Sequence, residues 1–166
     1  MKRRAVFFLL TAIGCASRTG QSAPGADSAF AALQERGAAA MGVDQYTSSH
    51  VFEPLPDGGR IVLQRDSIDP VGAATIRAHL QDIAGRFTTG DFRIPGFVHA
   101  QPVPGTDVMA ARKALISYRA DTLPRGGQVR IFTTDSLARA AVHSFLRFQR
   151  MEHRAAAHDH PAPPPP

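Results

Sequence analysis

Apolar and polar residues alternate from His50 to Leu55 and again from Arg60 to Arg65, and Pro56-Asp57-Gly58-Gly59 separates the two runs. A period of two marks a half-buried strand, and a Gly-containing turn between two such runs predicts a hairpin. From Pro70 to Phe87 the period lengthens: Ile76, Leu80, Ile83 and Phe87 share one helical stripe, and Gly90-Asp91 ends it. The same order then recurs. Ile116–Ala120 and Gln128–Thr133 flank a second turn, and a helix capped by Thr134 or Asp135 runs from Ser136 to about Arg154, with Leu137, Ala141, Phe145 and Phe148 as its expected core stripe. Both turns read Leu-Pro-x-Gly-Gly, at Leu55–Gly59 and Leu123–Gly127, 68 residues apart.

Two strand-strand-helix units of this kind predict an α+β domain: a four-stranded antiparallel sheet with two helices on one face. Upstream, Asp27 or Ser28 caps a helix through Phe30 and Leu33 to Met41, with Gly42 as its stop. The segment Ile94–Gly105 holds three prolines and two glycines and is expected to cross irregularly. A short helix capped by Thr106 or Asp107 and containing Met109 follows. The second sheet face is left with the linker 92–115 and the first helix as its available covers.

The termini have a different character. Lys2-Arg3-Arg4 precede an apolar run, Ala5–Gly14, too short to span a bilayer, and the single cysteine follows as Cys15. This is the form of an export signal. Ala12-Ile13-Gly14-Cys15 resembles the lipobox of bacterial lipoproteins, with alanine where that motif usually has leucine. The resemblance implies lipidation of Cys15 and anchorage to the envelope membrane facing the periplasm, or secretion if Cys15 is not lipidated. The chain thus divides into a signal peptide (1–15), a small-residue tether (16–29), one domain (30–154) and a His/Pro-rich tail (155–166). Formal net charge is +5, and losing the leader's three cations leaves about +2. Only Lys2 and Lys113 among the nineteen basic residues are lysine, a bias toward arginine without the concentrated basic face that nucleic acid requires.

Chemistry must come from the histidines. No Gly-x-Ser-x-Gly elbow or core carboxylate pair occurs, and strands rather than helices follow Gly58-Gly59 and Gly126-Gly127, which excludes phosphate loops. Pairing His79 with His143 is disfavoured by helical phase. Matching Ile76-Leu80-Ile83 to Ala141-Phe145-Phe148 sets Ala78 opposite His143, which falls in a stripe with Arg139, Arg147, Arg150 and Arg154. His153 is in phase with Val142, Leu146 and Gln149 and is expected to face inward. The candidate metal donors are His50, His79, His99, Met109 and His153, with Met41 as a further soft donor. Imidazole with thioether in an exported protein favours copper. Against a metal stands the lack of any His-x-His or His-x-x-x-His spacing in the domain, so the competing expectation is that each histidine is simply hydrogen-bonded or solvated. The tail's His158-Asp159-His160 offers adventitious chelation at most.

Met41-Gly42-Val43-Asp44-Gln45, His50-Val51-Phe52, Gly90-Asp91-Phe92, Val98-His99, Gly126-Gly127-Gln128-Val129-Arg130-Ile131 and the helix His143–Gln149 with His153 resemble a family of small exported bacterial proteins of no established activity. Val43 and Ser49 depart from that family, which has phenylalanine and a second histidine there. The resemblance spans about residues 41–154 and implies a single exported domain but no mechanism. A carbamoyltransferase label carried by some similar chains does not transfer, because the domain is too short for that two-domain fold and lacks its Ser-Thr-Arg-Thr phosphate site. The functional expectation is a non-enzymatic envelope lipoprotein holding a transition metal, with copper favoured. The alternative is a metal-free envelope interaction module using its open sheet face or Arg-rich helix. The membrane, through the lipid anchor, and an envelope protein are the expected partners; nucleic acid is not.

Overall fold

Residues 24–155 are described by the computed structural model, so the leader, Cys15 and the tail beyond Ala155 lie outside the described residues. The elements are α1 (Pro24–Met41), a 3-10 turn (Gln45–Thr47), β1 (Ser48–Leu55), β2 (Gly58–Arg65), α2 (Pro70–Thr89), α3 (Arg93–His99), α4 (Thr106–Ala111), a second 3-10 turn (Lys113–Leu115), β3 (Ser117–Leu123), β4 (Gly126–Phe132) and α5 (Ser136–Glu152). The four strands form one antiparallel sheet in the order β1-β2-β4-β3. Helices α2 and α5 lie on one face of it, α2 mainly over β3 and β4 and α5 over β1 and β2. This is the α+β arrangement of two strand-strand-helix units that the periodicity predicts.

The two units use the same local devices. Asp69 caps α2 by accepting from the Gly72 amide at 2.9 Å, and Asp135 caps α5 by accepting from Ala138 at 2.7 Å. Each helix sits over a glycine of the sheet: a Cβ on Gly59 would collide with Leu146, and one on Gly127 would press on Leu80 at 3.1 Å. Each helix also ties down the opposite hairpin. Arg77 donates to the carbonyls of Gly126 (2.9 Å) and Leu123 (2.7 Å), while His143 donates through Nε2 to the Leu55 carbonyl at 2.8 Å.

These contacts correct the helix alignment expected from sequence: Arg77, not Ala78, is the counterpart of His143. The equivalent stripes are Ile76-Leu80-Ile83-Phe87 and Val142-Leu146-Gln149-His153. The core stripe of α5 shifts accordingly. Leu137 is 58% exposed and Phe148 only half-buried, whereas Ala138, Ala141, Val142, Phe145, Leu146 and Gln149 are buried. A small residue, Ala138, takes the close contact beneath the helix start, where large apolar side chains had been expected.

Two further expectations change. The proline-rich crossing contains a helix, α3. Pro95 falls in its first turn, where a missing amide proton costs nothing, and Ala100 at φ 53 closes it. The first helix begins at Pro24, inside the stretch assigned to the tether. Neither α1 nor the linker helices cover the second sheet face. Instead α1 packs on α3 and α4 on α5, within the helical layer. The uncovered face carries a cross-strand row of Glu53, Arg60, Arg130 and Arg119, whose cations pair with Glu53, Asp57 and Asp121.

Candidate functional site

Three histidines far apart in sequence meet at the edge of the helical layer above β1. His50 lies on the inner face of β1, because its strand position pairs with buried Leu63 and shares a face with inward Phe52 two residues on. His99 is the last residue of α3, whose end is fixed where Arg36 donates through Nε to the Val98 carbonyl at 2.7 Å. His153 is the C-cap of α5, its amide bonded to the Gln149 carbonyl at 3.0 Å. The His153 ring lies 5.3 Å from that of His50 and 5.1 Å from that of His99 between centroids. The His99 and His153 planes are nearly perpendicular at 88°, while those of His50 and His153 are nearly parallel at 18°.

Together they line a cavity of about 80 Å³ whose other walls are mostly apolar, among them Phe52, Ile61, Leu63, Ile94 and Val98. Its polar lining consists of His50, His79, His99, His153, Gln45 and Gln149. Met41 also lines it, from the end of α1, which roofs the site through Gly37 and Ala40. Gly37 is needed there, because a Cβ would press on the Gln45 amide oxygen at 3.0 Å.

The two glutamines set the protonation of the rings. Gln45 Nε2 donates to the Val43 carbonyl at 3.1 Å, which turns Oε1 toward His50 Nε2 at 3.0 Å. An amide oxygen only accepts, so His50 carries its proton on Nε2. Gln149 Oε1 faces His99 Nε2 at 2.6 Å, and in this orientation of the amide the His99 proton lies on Nε2. The Nδ1 atoms of His99 and His153 are buried with no hydrogen-bond partner. Burial pushes His153 down to about 3, helped by the neighbouring His50 and His99, and pushes His50 down to about 4 against a backbone hydrogen bond to Ser48 and the charge of Asp66. Burial also lowers His99, opposed by the Gln149 bond and by Glu152, and lowers His79, opposed by Asp82. The cluster is therefore neutral imidazole at pH 7, the state in which a histidine ligates.

Of the five donors expected from sequence, His50, His79, His99 and His153 border this cavity. Met109 does not. It is completely buried in the main core on α4, where an apolar side chain is required on the face toward α5. Met41 takes its place as the thioether at the site. Gln45 and Gln149 were not among the candidates. The available signal was Gln149, a polar residue one turn before His153 on a stripe otherwise apolar. Among the described residues no group of three or more His, Cys, Asp or Glu side chains is disposed to hold a metal ion.

The other half of the molecule offers an internal comparison. Tyr118 occupies on β3 the place of His50 on β1, and Phe87 occupies on α2 the place of His153 on α5; their rings meet edge-on at 5.7 Å. Phe92 closes against Phe87 at 4.4 Å. One niche is filled by aromatic rings of the core, the other by imidazoles around a void.

No described helix is long and apolar enough to cross a membrane. Compared with protein families, curated proteins and solved structures, the chain matches none.

Proposed function

We propose that the protein is an exported, non-catalytic binder of a transition metal, copper being favoured, which it holds through His99 and His153 in the cavity they share with His50, while its leader and Cys15 place it at the envelope membrane. The observation that carries this reading is the convergence of three neutral imidazoles, from β1, α3 and the end of α5, on one small cavity. Two of them present buried Nδ1 atoms that nothing in the protein satisfies. An unsatisfied buried polar atom costs roughly 1–3 kcal/mol, and the corresponding niche in the other half is filled by Phe87, Phe92 and Tyr118 without any histidine. The fold does not require imidazole here, so a ligand is the reason to place it. Gln45 and Gln149 act as the outer hydrogen-bond partners that orient ligating histidines.

Hydrolysis fits less well, because the cavity lining contains no hydroxyl, thiol, carboxylate or amine. The metal-free alternative, an interaction module using the open sheet face or the Arg-rich helix α5, is weakened on the sheet face, whose arginines are already matched by Glu53, Asp57 and Asp121. The deciding experiment titrates the leaderless chain, with His158 and His160 replaced by alanine to silence the tail, with Cu(I), Cu(II) and Zn(II). One equivalent bound by this protein and lost in His99→Leu supports the reading; no stoichiometric binding of any of the three ends it.

A further inference from the structure

We propose that the ion is monovalent, Cu(I), held between Nδ1 of His99 and Nδ1 of His153 with the thioether of Met41 as the third donor. This rests on the metal-binding reading and specifies its charge, donors and selectivity.

Geometry selects the pair. Two imidazoles share an ion only where their ring planes intersect at it, a condition open to the nearly perpendicular planes of His99 and His153 and closed to the nearly parallel, stacked ones of His50 and His153. An ion ~2.0 Å from each nitrogen, at an angle between tetrahedral and trigonal, sets the two ring centroids roughly 5–5.5 Å apart, and they are 5.1 Å apart. Tautomer selects the atoms. Gln149 holds the His99 proton on Nε2, so the lone pair is on Nδ1, and it is the Nδ1 atoms of His99 and His153 that are buried without partners. His50 has its Nε2 taken by Gln45 and a backbone bond at Ser48, and stacks beneath as a wall.

Charge selects the oxidation state. No carboxylate or thiolate lines the cavity, and most of its wall is hydrocarbon. The cost of burying an ion in such surroundings grows with the square of its charge, so a divalent ion without a compensating anion is penalised about four times as heavily as a monovalent one. Cu(I) is soft, accepts thioether with imidazole and tolerates few donors. Met41 is the buried sulfur that shares this cavity. Zn(II) and Cu(II), which favour four donors and some negative charge, are disfavoured by the same neutrality.

The test uses the leaderless chain with His158→Ala and His160→Ala, titrated anaerobically with Cu(I) against a chromophoric Cu(I) chelator, and separately with Ag(I), Cu(II) and Zn(II). The expected result is one Cu(I) or Ag(I) per chain, bound at least roughly tenfold more tightly than either divalent ion. Copper-edge X-ray absorption should show nitrogen and one sulfur in the first coordination sphere. Met41→Leu removes the sulfur signal, and Gln149→Leu weakens Cu(I) roughly tenfold or more. Gln149→Glu, which adds the missing negative charge, moves the preference toward Zn(II). His153→Phe, the side chain found at the equivalent place on α2, abolishes binding in a chain whose circular dichroism is unchanged. Tighter binding of Zn(II) or Cu(II), or a Cu(I) centre without sulfur, overturns this assignment while the metal-binding reading survives; absence of all binding overturns both.

Discussion

Ile61 and Val129 face each other in the β2–β4 ladder at the middle of the sheet, and they are 68 residues apart, the interval that separates the two Leu-Pro-x-Gly-Gly turns. At the same interval His50 corresponds to Tyr118 and Gly59 to Gly127. In the helices, where the interval is 66, Asp135 corresponds to Asp69, His143 to Arg77, Gln149 to Ile83 and His153 to Phe87. The cap, the glycine beneath the helix and the clamp on the hairpin carbonyl occur in both halves. The cavity side chains differ, and that separates what the fold needs from what the site adds.

Replacing His153 by phenylalanine should therefore stabilise the protein. The change removes a buried, unpartnered Nδ1 and fills part of the cavity with hydrocarbon, as Phe87 does opposite. The gain expected is about 1–2 kcal/mol, or a Tm higher by several degrees. Thermal unfolding at pH 7.5 in the presence of a chelator measures it. A lower Tm would show that the imidazole is structural.

Acidification should destabilise the metal-free protein earlier than its carboxylates alone would. Burial holds His50 at about 4 and His153 at about 3, while in the unfolded chain both titrate near the ordinary value of ~6.5. Between those values the unfolded chain binds more protons, so stability is full above about pH 6.5 and falls as pH drops toward about 4. The loss is on the order of 1–3 kcal/mol per histidine. Asp91, held well below the usual carboxylate range by the Arg93 guanidinium, adds its own loss only at lower pH, so urea midpoints between pH 7 and 5 report the histidines. The double variant His50→Tyr with His153→Phe should lose most of that slope, the remainder coming from His79 and His99, which burial also lowers.

The sheet and its two helices were legible in the chain because each rests on local periodicity and a turn that needs glycine. The site was legible only in part. His153 could be turned inward by its phase with Val142 and Leu146, and the structure places it so. The meeting of His50, His99 and His153 depends on where α3 stops, and the prolines of Ile94–Gly105 read as a break rather than as the first turn of a helix. Met109 and Met41 were indistinguishable as sulfur donors until tertiary packing, which buries both in the core, set only Met41 of the two against the cavity. Likewise the one-residue error in aligning α5 with α2 came from weighing Leu137 and Phe148 by size, when close packing on the sheet selected Ala138 and Val142.

Arg77 should matter more to stability than any exposed arginine. Its guanidinium donates to the carbonyls of Gly126, Leu123 and Pro124 across the second hairpin, and charged donors to backbone are worth about 1.5–3 kcal/mol. Arg77→Ala is expected to lose about that much by urea unfolding, and His143→Ala, with one such bond to Leu55, about 1 kcal/mol. Neither residue touches the cavity, so the metal affinity of both variants should be unchanged. Equal and negligible losses would remove the clamp from the account of the fold.

Two glycines separate strain from crowding. At Gly59 an added methyl meets the end of the buried Leu146 side chain, which must shift, and the Glu53 carbonyl at 3.1 Å. At Gly105, before α4, it meets the backbone carbonyl of Ala141, which α5 holds rigid, and φ there is +87. Gly59→Ala is thus an overpacking change costing about 1–2 kcal/mol. Gly105→Ala adds left-handed strain and a backbone collision and should cost about 3 kcal/mol or more. Chemical denaturation of the two variants orders them. If Gly59→Ala proved the more damaging, the helix-on-glycine contact would be the tighter of the two joints, and the sheet rather than the α4–α5 contact would limit the stability of the domain.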